Sequence, residues 1–134
     1  MTNQETNKQN HNNFHLSLSK FAGTEQYYFS QPFKNVHYTE GVKYFIDNAG
    51  NGANWFLVLV ATEIIPILKD DLFFIELTVN KDESAKIIVQ RDKGEPILYE
   101  KDLDYTDCPY SENTYKFCLD VNSDNSILCL LSEY

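Results

Sequence analysis

Glycine and proline are scarce in this chain, five and four residues of 134, which excludes collagen-like and low-complexity organisation. Long apolar runs are missing as well. A membrane-spanning helix needs about 20 apolar residues, and the strongest run, Trp55 to Ala61, is broken by Thr62 and Glu63. The N-terminus lacks a basic segment followed by an apolar stretch, so no secretory signal is expected and a cytoplasmic location is the default. Cysteine is limited to Cys108, Cys118 and Cys129. The odd number and the absence of C-x-x-C point to a reduced compartment. Cys118 and Cys129 could face each other across a hairpin, but all three are adequately explained as small buried hydrophobes.

Cationic side chains are the other deficit: 11 Lys and Arg stand against 20 Asp and Glu, a net charge of -9. Its position is informative. Residues 1–69 carry five acids and five lysines, so the whole excess falls in residues 70–134, where fifteen acids face six Lys and Arg. Direct nucleic-acid binding by that half is not expected, because phosphate contacts need a cationic surface. A basic protein or ribonucleoprotein would be attracted to it. A surface that only solubilises is the competing explanation.

What is present is a large stock of core material: 43% hydrophobic and 14% aromatic residues, with nine Tyr and nine Phe. That suits one domain of this size. Residues 1–13, rich in Asn and Gln, predict a flexible tail, and 14–134 a single domain. Phe14 to Phe21 predicts a short helix ending near Gly23, and Gln26 to Phe29 a short strand. Thr39 is placed to cap a helix over Glu40–Ala49, with Val42, Phe45 and Ile46 on one face and Gly50 as its left-handed stop. Asn54 predicts the cap of a second, wholly apolar helix opening at Trp55, which should be core, and ending near Pro66. Strands are expected over Leu72–Val79, Ala85–Gln90, Pro96–Glu100, Tyr115–Val121 and Ile127–Leu131, with turns at Lys81-Asp82-Glu83, Asp92-Lys93-Gly94 and Asn122–Asn125. Helices first and strands second predict an α+β domain, N-terminal helices packed on one face of an antiparallel sheet of about five strands.

Candidate chemistry is thin. His11, His15 and His37 have no metal-ligand spacing with cysteine or each other, so neither a metal nor a cofactor is expected. Cys108 is the one cysteine in a loop, but no histidine is near it in sequence. Carboxylates pair at Asp70-Asp71, Asp82-Glu83 and in the Asp102, Asp104, Asp107 loop, without the ordered ligands of a calcium loop. No catalytic residue is therefore assigned. The richer feature is tyrosine among acids: Asp102, Asp104, Tyr105, Asp107, Tyr110, Glu112 and Tyr115. Tyrosine buries large area at low entropy cost and is frequent at interface hot spots; some of these rings could equally cover the core. These seven residues are the candidate partner-binding set. Asp107, between Thr106 and Cys108-Pro109, could instead cap local amides in a turn.

Four segments carry a resemblance: Phe21-Ala-Gly-Thr-Glu-Gln-Tyr-Tyr28, Tyr38-Thr-Glu-Gly-Val-Lys-Tyr44, Tyr105-Thr-Asp-Cys-Pro109 and the terminal Leu131-Ser-Glu-Tyr134. Together they resemble an uncharacterised family of small proteins from bacterial plasmids, phages and other mobile elements, over residues 14–134. The helix after Asn54 is more uniformly apolar than in that family, and Leu131 stands where a proline is expected. The resemblance transfers no active site. It implies an accessory protein of a mobile genetic element that counters a host defence system. In size and acidity the chain is similar to CRISPR inhibitors, and its Asn-, Ile- and Lys-rich usage suggests an AT-rich bacterial host. The most specific expectation is an anti-CRISPR protein that blocks guide-RNA or target-RNA handling by an RNA-targeting type VI nuclease. Two other classes stay open: a small metal-dependent hydrolase or nuclease built on Asp102, Asp104 and Asp107, and a self-associating module using Gln26–Phe33 and Tyr110–Phe117.

Overall fold

The computed structural model describes residues 13–134; the expected tail at residues 1–13 lies outside them except for Asn13. Residues 13–18 form a short helix, α1. Two strands follow, β1 (Tyr27–Ser30) and β2 (Phe33–Thr39), then helices α2 (Glu40–Asn48) and α3 (Asn54–Leu59). Five more strands complete the chain: β3 (Asp71–Val79), β4 (Ala85–Gln90), β5 (Tyr99–Leu103), β6 (Tyr115–Val121) and β7 (Ser126–Leu130). All seven join one sheet in the order β1-β2-β7-β6-β3-β4-β5.

This corrects the expected architecture. The sheet has seven strands rather than about five, it is mixed rather than antiparallel because β2 runs parallel to β7, and it dominates the molecule, the helices being short. The missed strand is β2, Phe33-Lys-Asn-Val-His-Tyr-Thr39. Its polar Lys34 and Asn35 hide the alternation, because only its second half faces the core: Val36 and Thr39 are buried. The expected strand Pro96–Glu100 lies three residues later, at Tyr99–Leu103.

Alternation decides which face is covered. In β3 Phe73, Ile75, Leu77 and Val79, and in β6 Tyr115, Phe117, Leu119 and Val121, are buried in one core cluster, so every second residue points into it; Cys118 of β6 is buried too, outside that cluster. The helices lie on that face. Phe45 of α2 and Phe56 of α3 meet Phe117 of β6 at ring-centroid distances of 5.2 and 4.7 Å. Phe14 of α1 joins through Phe45 and Tyr115 at 6.1 and 6.3 Å.

Helix α2 forms where its stripe predicts. Thr39 caps it, its side chain accepting from Val42 N, and Gly50 leaves it in the left-handed region at φ 61°. Helix α3 differs from expectation. It begins at Asn54 itself, after Ala53, and has no side-chain cap. From Val60 it widens into a π turn and then tightens into a 3-10 turn at Ile65–Ile67. Pro66 supplies a reason: it has no amide for the carbonyl four residues back, and its ring crowds that carbonyl. Thr62 adds a hydroxyl bond to the Val58 carbonyl, 2.7 Å, a back-bond that bends helices. Trp55 is half-buried, and Phe56 is the fully buried ring of this helix. Among the described residues, no helix is long and apolar enough to cross a membrane.

Candidate functional site

The segments that look like motifs converge on the two ends of α2. At its start, Glu133 folds back from the C-terminal turn. Its Oε1 accepts from Thr39 Oγ1 at 2.6 Å and Leu130 N at 3.0 Å, and its Oε2 accepts from Gly41 N at 3.0 Å. The carboxylate thus satisfies first-turn donors and sits at the positive end of the helix dipole. Thr24 adds a second hold, its Oγ1 accepting from Glu40 N at 3.1 Å. A Cβ on Gly41 would lie 2.5 Å from Glu133 Oε1 and Leu130 Cδ1, which is why glycine stands there.

At the far end Asp107 closes the turn. Its Oδ2 accepts from Asn51 N at 2.7 Å. A Cβ on Gly50 would overlap the Asp107 carbonyl oxygen and lie 2.5 Å from its Cγ. The Thr106 amide donates to the Glu83 carbonyl at 2.7 Å, and Thr106 Oγ1 accepts from Cys108 N at 3.1 Å, so the loop is fixed from both sides. Gly23, near which the first helix is expected to end, lies five residues past the helix's last residue, meets nothing within 4 Å and has no left-handed φ.

The predicted partner-binding residues therefore separate. Tyr115 is in the core, 6% exposed. Its hydroxyl donates to the Pro109 carbonyl at 2.6 Å and lies 2.7 Å from His15 Nε2. Burial raises its pKa well above the ordinary tyrosine value. Asp107 is held against the α2–α3 turn. Tyr105 is 67% exposed. Tyr110 lies at the surface under Lys81, whose Nζ is 5.5 Å from the ring centroid. Asp102, Asp104 and Glu112 are exposed. Asp102 is within 3.7 Å of Lys86 Nζ, which also pairs with Glu100 at 3.0 Å, and these carboxylates raise the Lys86 pKa. The hydrolase reading needs Asp102, Asp104 and Asp107 together, yet Asp102 faces Lys86 and Asp107 faces Asn51. Among the described residues, no group of three or more His, Cys, Asp or Glu is placed to hold a metal ion. The Cys108 thiol is buried, and desolvation pushes it up to about 12, which makes it a poor nucleophile. Cys118 and Cys129 lie directly opposite each other in β6 and β7 as free thiols.

The structure adds a feature that the sequence reading missed. A groove of about 480 Å³ lies between α3 and β5, lined among others by Trp55, Val58, Leu103 and Tyr105. Glu63 and Lys101 also line it, and Glu63 accepts from Tyr99 Oη at 2.9 Å and Lys101 Nζ at 2.9 Å. Lys101, then Tyr99, hold Glu63 below the usual carboxylate range. Burial, with Glu63 adding to it, pushes Tyr99 up to about 12. A second groove, about 760 Å³, lies beside α1 between His15, Lys93, Tyr115 and Leu131. The segment Tyr105–Pro109 reaches the first groove through Tyr105, Thr106 and Asp107, and the terminal segment reaches the second through Leu131 and Ser132.

No curated protein matches this chain. Among solved structures it is similar to a protein of unknown function from Enterococcus faecalis, with 13% identity and a TM-score of 0.48 over 80% of this chain and 98% of that one. The model of a family of unknown function, DUF6876, matches residues 12–134, and the chain belongs to that family.

Proposed function

We propose that the chain is a non-enzymatic binding protein that docks a basic macromolecular partner through the acidic, tyrosine-bearing surface formed by β5 and the loop after it. The observation that carries this reading is placement. Glu100, Asp102, Asp104 and Glu112 are exposed, as is the ring of Tyr105, while Thr106, Asp107 and Cys108, which follow Tyr105, are occupied within the fold. Carboxylates not needed for folding are free to steer a cationic partner, and a large tyrosine face supplies contact area. In its most specific form the proposal follows the mobile-element resemblance: the partner is the basic RNA channel of a type VI CRISPR effector, and the chain acts as an inhibitor.

The test is binding and RNA cleavage with a purified type VI effector at low and high ionic strength. Inhibition that weakens as salt rises supports the reading. Undiminished cleavage at saturating protein refutes the specific form, and salt-independent binding refutes the electrostatic one. One observation favours a second reading, self-association: Tyr27 and Phe29 of the opposite edge strand β1 are 55% and 49% exposed. Light scattering across concentration decides it, because a strict monomer removes it.

A further inference from the structure

Among the described residues, strand β5 is the last strand of the sheet and pairs only with β4. One side of its backbone therefore carries donors and acceptors with no strand beside them, a ready template for strand addition. Its side chains are sorted by face. Tyr99, Lys101 and Leu103 turn to the helix side, and Leu103 and Lys101 line the groove beside α3. Glu100 and Asp102 turn to the other side, where both pair with Lys86.

We infer that β5 is a docking edge for an extended, basic segment of a partner protein, which adds to the sheet as an eighth strand. This rests on the binding reading above and specifies its mode. Alternate residues of an added strand point to opposite faces. One set would enter the groove against Trp55, Val58, Leu103 and Tyr105, and so should be apolar. The other set would lie beside Glu100 and Asp102, and so should be Lys or Arg. The partner segment is thus one that alternates apolar and basic residues. The same charges select against a second copy of this chain, because β5 paired with β5 brings carboxylates against carboxylates, and like charges facing each other across strands are unfavourable. Asp104 adds a further exposed acid just past the strand.

Trp55 is the chain's one tryptophan and lines the groove, so its emission reports occupancy. The probe is a synthetic ten-residue peptide alternating valine and lysine, with an otherwise identical valine–glutamate peptide as control. The expected result is saturable change in Trp55 emission with the lysine peptide only. Affinity should fall at least tenfold in the Glu100→Lys, Asp102→Lys double variant, whose fold is checked by its melting curve. Amide hydrogen exchange should slow in Tyr99–Leu103 on binding. Equal binding of both peptides, an unaffected double variant, or protection elsewhere with Tyr99–Leu103 unchanged would each overturn the proposal. So would a concentration-dependent dimer of the free protein that protects the same amides. The two readings fail separately: a defence effector that binds without protecting β5 leaves the binding reading intact and removes this docking mode, and lysine-peptide binding without any effector interaction does the reverse.

Discussion

Helix α2 and strand β5 are polar-faced elements of the same small domain, yet they treat their polar groups in opposite ways. At α2 the groups left over by helix geometry are taken up internally. Glu133 and Thr24 serve its first turn, and Asp107 serves the turn that follows it. At β5 the side chains pair only in part, and among the described residues one side of the backbone has no strand beside it. The contrast teaches that recognisable residue patterns and interaction surface need not coincide. A carboxylate that must meet one particular amide tolerates little change and reads as a motif. A surface that needs only negative charge and apolar area accepts many residues, and β5 itself carries no such pattern, although Tyr105 just past it opens one.

Substitutions can break or sharpen that comparison. The largest effect belongs to neither region but to the core that both rest on. Phe56→Ala should cost about 3–5 kcal/mol, the usual loss for a buried aromatic, in denaturant unfolding. Trp55→Ala should cost clearly less, since that ring is only half-buried and borders the groove. Next comes the clamp of α2. Gly50→Ala forces a side chain into the left-handed region and against Asp107, and should cost about 2–4 kcal/mol from the two effects together. Glu133→Ala leaves the Gly41 and Leu130 amides without their acceptor and should cost about 1–3 kcal/mol, read as a lowered melting temperature. The smallest stability effect is expected at β5, where charge reversal at Glu100 and Asp102 should leave the melting temperature close to the parent's, because exposed ion pairs contribute little.

Titration gives a further contrast. The folded-state pKa of Glu63 is depressed, so its contribution is present above the unfolded value and lost as pH falls through the folded one. Acidification below the usual carboxylate range should release Lys101 and Tyr99 and shift Trp55 emission. The Tyr99 pKa is raised from 10.0 to about 12, so its contribution is present below 10.0 and lost as pH rises towards about 12. A fluorescence pH profile that is flat at both ends would show that this cluster does not shape the groove.

The sequence made the elements with strong local signals legible. Thr39 and Gly50 bounded α2, and Ala85–Gln90 and Tyr115–Val121 read as strands by alternation. What it hid depends on distance along the chain. Strand β2 is half polar and becomes a strand by pairing with β7, some ninety residues later in sequence. The role of Glu133 is invisible locally, because its partners Thr39 and Gly41 lie 94 and 92 residues away. Of the candidate surface, Asp102, Asp104 and Tyr105 were legible as exposed acid and ring. Tyr115 was not, since nothing near it in sequence says that its hydroxyl meets Pro109 and His15 in the core.

One paired measurement tests the division of labour most directly: melting temperature and valine–lysine peptide affinity, taken side by side for Glu133→Ala and for the Glu100→Lys, Asp102→Lys double variant, at a temperature where all are folded. The account predicts that Glu133→Ala melts lower but binds as the parent does, and that the double variant melts near the parent but binds at least tenfold more weakly. A Glu133→Ala protein that loses binding while keeping its melting temperature, or a double variant that binds as the parent does, would contradict it.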